Sequence, residues 1–463
     1  MLLVCSRHTI TAVRLVRTEP PTGGTDVCVD TPLWLEFDRE PTIGTGSIEL
    51  WRDDRVLVDR IDLSDPRTGT KNIGHAVTDT GRSHAFCYEP IQLDRRVARI
   101  EPHVSLEYGR EYQVLIGPRV FPGFPGVRLG FRTRRREPDP ETGRFVVSDT
   151  GDADFRTVQG AIDAVPRGNQ RRMLIDVLPG TYSELVYVRA DKPRITVRGR
   201  DREHTVIRYA NNEVRNGRPT DPEARCPGRR LDRADRYNCW RANFGVEAPD
   251  FGLERITLRN ETPPGSGQAE AFRGNAERIR LDQVTLTSYQ DTLRLQGTGY
   301  VTASLVEGDV DFVWGVGAVF VERSELRWLR PGPLAQLRNQ PGQRGAVFRD
   351  CRLTRSASVP DQSCLLGRVD AAVFPGSEVV FLDTAMDRHI APIGWEIRHP
   401  ERFSGLFADY RTSPLDHRGA VPTGTRHPLS DSETGVGTHA DDRGDTIDRW
   451  GDPRFVLEGW DPR

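Results

Sequence analysis

Between residues 25 and 133 apolar and polar positions alternate in short runs, clearest at Leu33–Phe37, Ser47–Trp51, Tyr112–Ile116 and Leu129–Thr133. A period of two puts every second side chain on one face of a strand, and the turn residues between the runs predict a β-sandwich over 25–134. Arg134–Arg144 is charged and carries Pro138 and Pro140, so 135–144 reads as a linker. Beyond it Phe155, Val158, Ala161, Ile162 and Val165 fall on one helical face, with Asp154 as the expected N-cap and Pro166 as the stop. From Met173 the pattern returns to brief strands, among them Ile195–Val197, Arg255–Leu258, Arg278–Leu281, Val284–Leu286, Ala318–Val321, Ala346–Phe348 and Glu378–Leu382. Two or three short strands recurring about every twenty to thirty residues, almost without helices, predict a solenoid of stacked parallel coils over 145–463. A propeller would need strong hairpin turns, which the chain lacks. Residues 1–24 remain as an N-terminal leader.

The charge pattern narrows the partners. Formal net charge is -2 over 463 residues, with acids and bases interspersed, which predicts neither nucleic-acid nor membrane binding. No apolar run reaches the roughly 18 residues that cross a bilayer. The patch Leu2–Cys5 is too short for a secretory core, so no signal peptide is visible. Seven cysteines allow pairs: Cys226 with Cys239 around a polar insertion, Cys351 with Cys364 on neighbouring coils, and Cys28 with Cys87, leaving Cys5 unmatched. Disulfides there would favour an oxidising, extracellular setting, while buried thiols fit the same positions.

Four segments carry candidate chemistry: Gln268–Phe272, Gln290–Leu293, Asp311–Gly315 and Leu366–Arg368. Gln268 precedes Gln290 by 22 positions and Gln290 precedes Asp311 by 21, about one coil each. Asp291 and Asp311, twenty apart, should therefore face one another across adjacent coils, about 4.8 Å in the stacking direction. Two such carboxylates cannot both ionise freely, so one keeps a proton while the other stays charged. That division suits ester hydrolysis by a carboxylate nucleophile and a neighbouring general acid and base. Glutamine amides can donate to the tetrahedral oxyanion, and an arginine can hold the nucleophile by a bidentate contact.

At these residues the chain resembles the pectin methylesterase family over most of 145–460, a likeness that includes Phe155–Gln159 with Ala161 and Ile162, Gly180–Glu184, Pro392–Trp395 and Gly459–Pro462. The resemblance implies a right-handed parallel β-helix with Asp311 as nucleophile, Asp291 as acid and base, Gln268 and Gln290 as oxyanion donors and Arg368 as the partner of Asp311. It further implies no metal or organic cofactor, methyl-esterified polygalacturonate as substrate, a secreted enzyme and a monomer. Trp314, Tyr289, Phe272 and Tyr182 are the aromatic candidates for sugar contact, each of which would serve equally in core packing. His389 reads as a satisfied or exposed histidine. The opening Thr25–Pro32, Glu111–Tyr112 and Phe131–Thr133 resemble bacterial Ig-like modules.

Two departures bear on substrate. Val369–Asp370 follows Arg368 where the family has a tryptophan platform, and Trp314 stands where the family has phenylalanine. The arginine-rich stretch from Tyr209 to Asn243 is long for a connection between coils and is suited to overhang a groove. Other readings on the same solenoid are a calcium-dependent lyase, supported only by Asp309 beside Asp311, an esterase or thioesterase for another substrate, and a carbohydrate-binding protein without activity.

Overall fold

The structure, a computed structural model, describes residues 12–77, 83–216, 240–415 and 447–463. These form two compact units: one reaches to Asp139 and takes in Val147–Ala161, and the other holds the remaining described residues from Pro140 onward.

In the first unit two sheets share one core. A four-stranded sheet runs in the order Leu15–Glu19, Leu33–Phe37, Val97–Ile100, Ile91–Asp94. A five-stranded sheet runs Gly24–Val27, Val127–Thr133, Glu111–Ile116, Ser47–Arg52, Leu57–Asp62. Alternation does the sorting: Leu33, Leu35 and Phe37 of one sheet and Tyr112, Val114 and Ile116 of the other point inward to the same cluster. The expected leader is corrected here, because Leu15–Glu19 pairs antiparallel with Leu33–Phe37 and belongs to the sandwich. Its burial is too shallow to have shown as an apolar alternation.

In the second unit each coil contributes strands to three columns of parallel strands. The first column runs Val186–Val188, Ala242–Val246, Glu270–Asn275, Leu293–Thr302, Val313–Glu322, Pro333–Leu337, Leu365–Asp370, Trp395–Arg398. The second starts at Arg144–Val147 and Met173–Val177 and ends at Leu406–Tyr410, sharing the two ten-residue strands with the first. A separate nine-stranded sheet from Gly180–Ser183 to Ser413–Pro414 is the third. Stacked apolar ladders fill the interior, one of them Val186, Phe244, Phe272, Leu293, Val313, Ala335. From the second column to the third the chain turns through a single left-handed residue in coil after coil: Arg255, Gln283, Ala303, Arg323, Asp350, Asp383 and Arg411, with φ from 48 to 55°. At Gly315, where a long strand bends, φ is 146° and a Cβ would run into Leu295 O, so only glycine fits.

Three expectations change. The helix spans Val158–Ala164, not from Phe155, and Thr157 Oγ1 rather than Asp154 accepts from its first turn at Gly160 N–H, 2.9 Å. Phe155 instead makes a parallel bridge with Val147. Cys351 and Cys364 are not paired: both are free and buried. Cys351 sits at the corner stacked with Ser304, Ser324 and Thr384, whereas Cys364 enters the first column opposite Ile390, so they occupy different corners of the coil. Cys28 is also free, its thiol donating to Gly151 O at 3.4 Å, while Cys87 is in a disulfide. Cys226 and Cys239, with residues 217–239 of the long insertion, lie outside the described residues.

The segment Ile447–Trp450 and Pro453–Val456 covers the outer face of the second column. Trp450, Val456 and Leu457 close over Tyr300, Phe320, Val347, Val380 and Leu382 in one cluster.

Candidate active site

Gln268, Gln290 and Asp311 come from three successive coils, tied by Ala269 N–H to Gln290 O at 3.0 Å, Asp291 N–H to Val310 O at 3.0 Å and Asp311 N–H to Pro333 O at 2.8 Å. The register sharpens this. Phe272 faces Leu293 and Leu293 faces Val313, so two residues earlier Glu270, Asp291 and Asp311 fall in one column at the mouth of the first sheet. Both aspartates are left-handed, with φ of 71° and 50°, which turns each from the preceding loop into its strand.

Asp311 is buried, and Arg368 holds it with a fork: Nε donates to Oδ1 at 2.8 Å and Nη2 donates to Oδ2. Burial pushes its carboxyl up, and the guanidinium opposes that shift. Asp291, 2 % exposed, is pushed up to about 8, first by burial. Arg241 pulls in the other direction, Glu270 and Asp311 push further up, and Arg338 opposes them. Burial thus favours the proton on both carboxyls; the two-point fork from Arg368 opposes it at Asp311, while the charge of Glu270 reinforces it at Asp291.

Below Asp291 lies a group that the segment spacings did not single out. Arg241, 4 % exposed, donates from Nη2 to Asp291 Oδ2 at 2.6 Å, from Nε to Glu270 Oε1 at 3.0 Å, and from Nη1 to Gln268 Oε1. Glu270 is 0 % exposed. The signal was present in the 21-residue step from Glu270 to Asp291, which matches one coil as well as Gln268 to Gln290 does.

The aromatic candidates divide. Phe272 is fully buried between Phe244 and Phe251, 5.9 and 6.3 Å centroid to centroid, so it is core and not a sugar contact. Tyr182 is likewise buried, its hydroxyl donating to Leu178 O at 2.9 Å. Tyr289 is half-buried, as is Gln290. Trp314 faces outward in a ladder with Arg273, Arg294 and Gln336, but its ring is covered by the guanidinium groups of Arg241, Arg294 and Arg338 at 4.9, 4.9 and 4.6 Å. The outer face of this ladder therefore presents arginine around Trp314 rather than a bare aromatic surface. Asp309 accepts from Val310 N–H at 2.6 Å, and both oxygens of Asp311 are taken by Arg368, which removes the acid pair on which a calcium site rested. His389 is buried against Trp328 at 4.6 Å, and neither ring nitrogen has a hydrogen-bond partner among the described residues, so it is neither satisfied nor exposed.

A family profile for pectinesterase matches residues 144–403. Pectinesterase 31 of Arabidopsis thaliana is 32% identical over 254 residues, covering 54% of this chain and 75% of that protein. Pectinesterase 4 of the same plant is 30% identical over 275 residues, covering 56% of this chain and 43% of that protein. Two solved structures share the fold at 20% identity: a pectin methylesterase from carrot, TM-score 0.54 over 68% of this chain and 93% of that one, and pectin methylesterase PemA from Erwinia chrysanthemi, TM-score 0.53 over 69% and 98%.

Proposed function

The chain belongs to the pectinesterase family, and from that premise we propose that it removes methyl esters from polygalacturonate and releases methanol. The observation that carries the reading is the pair of buried aspartates stacked on adjacent coils in unlike surroundings, Asp311 forked by Arg368 and Asp291 bound to the buried Arg241 beside Glu270. Asp311 attacks the ester carbonyl carbon. Gln268 and Gln290 donate to the oxyanion of the tetrahedral intermediate, and Asp291 passes its proton to the departing methoxide. The acyl group is then on Asp311. Asp291, now a carboxylate, takes a proton from water, the hydroxide adds to the acyl carbon, and the free acid leaves as Asp311 is regenerated.

Arg294 and Arg338 on the cleft wall favour a polymer that already carries free carboxylates beside its remaining esters. The disulfide at Cys87 suits a secreted protein. The test is methanol release from methylated pectin with and without a chelator, beside aryl acetates and thioesters. Chelator-resistant methanol release supports the proposal. Turnover of the small esters or thioesters without methanol release from pectin moves the substrate elsewhere, and turnover of none of them overturns the proposal.

A further inference from the structure

Arg241 and Glu270 are both buried, and burying a charge is costly unless its hydrogen bonds are met. Their surroundings are fixed in advance. Asn211 Nδ2 donates to Trp240 O at 2.8 Å and to Ala242 O at 2.7 Å, clamping the peptide on both sides of Arg241. Asn260 Nδ2 donates to Glu270 O at 2.8 Å and to Asn211 O at 2.7 Å, so one amide network holds both backbones. Glu213 lies on the far side of Arg241 at 3.8 Å and takes Gln268 N–H at 3.3 Å.

We propose that Arg241 and Glu270 form a positioning pair that orients Gln268 and Asp291 from beneath the cleft. This inference rests on the esterase reading above. A guanidinium has only donors, so the oxygen of the Gln268 amide must face Arg241, and its NH2 group points away from that cation. That is the orientation an oxyanion donor needs. Glu270 has a second effect through charge. Two guanidinium groups, Arg241 and Arg273 (Nη1 4.0 Å from Glu270 Oε2), set against the three carboxylates of Glu270, Asp291 and Glu213 leave one negative charge over, and that surplus is met by a proton on Asp291. Without the Glu270 charge, Arg241 and Arg273 would be balanced by Glu213 and Asp291 both ionised, which would remove the acid needed for methanol departure. Asp311 and Arg338 also face Asp291 and act with opposite signs on it.

The test uses Glu270→Gln, which keeps shape and removes charge, with Arg241→Met and Arg241→Lys. Two readouts are taken: the pH dependence of kcat on methylated pectin, and the titration of Asp291 followed by 13C NMR of carboxyl-labelled aspartate, assigned against Asp291→Asn. Glu270→Gln should move the alkaline limb and the Asp291 titration down by about 1 unit or more, and Arg241→Met should move both up. Arg241→Lys, which keeps the charge but has one nitrogen in place of the three that reach Glu270, Gln268 and Asp291, should lower kcat by about 10- to 100-fold through Gln268 with KM little changed and the limb in place. If Arg241→Met does not fold, Glu270→Gln and Arg241→Lys decide the matter. An Asp291 titration that stays put in Glu270→Gln, with only a lower Tm, would show the pair to be structural and overturn the proposal. Failure of the wild type to release methanol would instead overturn the esterase reading, and the NMR titration would still decide the role of the pair.

Discussion

Asp291 and Asp311 carry the same side chain in unlike surroundings, and their replacement should separate two kinds of loss. Asp311→Ala leaves no atom to form the acyl-enzyme, so turnover should fall by at least about 10^4-fold on every ester, methyl or aryl. Asp291→Ala should be severely impaired on pectin yet still be acylated by an aryl acetate the wild type accepts, seen as a burst of released phenol, because a phenolate departs without a proton while deacylation stays slow. The reverse pattern would exchange the two roles. A third residue gives a pH prediction for stability. Burial lowers the pKa of His389 from 6.5 to about 4. The unfolded chain therefore takes up a proton below pH 6.5 while the folded chain resists it until about pH 4, and folding stability falls across that window, with no contribution from this group above it. The full loss is at most about 3 kcal/mol. Tm measured from pH 7 to pH 4 should decline less steeply in His389→Phe than in the wild type, and parallel curves would remove His389 as a cause.

At the scale of elements, the corners and bends decide what substitution costs. Gly315→Ala must both leave φ 146° and displace Leu295 O, so it should cost about 3 kcal/mol or more. Gly168→Ala, at φ 64° with open space around it, should cost only about 1 kcal/mol. Urea unfolding of the two variants checks the contrast. The same distinction explains what was legible in the sequence. Alternation and recurrence reveal strands and coils because burial enforces a period, and Asp291, Asp311 and Arg368 are legible because each sits in a short segment one coil or more from its partner. Arg241 and Glu270 are not legible that way: hydropathy places charged residues outside, and only the coil-length step between Glu270 and Asp291 marks the column they share. The helix start shifted from Phe155 to Val158 because Phe155 found a strand partner in Val147, a tertiary pairing that overrides helical spacing. Cys351 and Cys364 look pairable by distance along the chain, but their corners of the coil separate them.

At the scale of the whole molecule, near-neutral net charge conceals a cleft wall of arginine around Trp314. Raising ionic strength should therefore raise KM for partly de-esterified pectin more than for fully methylated pectin, because only the former offers carboxylates to those guanidinium groups. Equal KM changes for the two polymers would argue against that contact. The covering segment matters in the same global sense: Trp450→Ala should lower stability by about 3 to 5 kcal/mol, read as a fall in Tm, since its ring closes the cluster over Tyr300 and Phe320. Finally, the single left-handed residue that recurs between the second and third columns gives the solenoid a reading frame. One residue added between Asp291 and Asp311 would carry the next strand half a period out of phase and send an active carboxylate toward the apolar interior. Length changes in the connection between the strands ending at Tyr209 and beginning at Ala242 leave that phase untouched. Changes of substrate range should thus be easier to engineer through the length of such connections than through the rungs that carry the chemistry, whose letters can change but not their count.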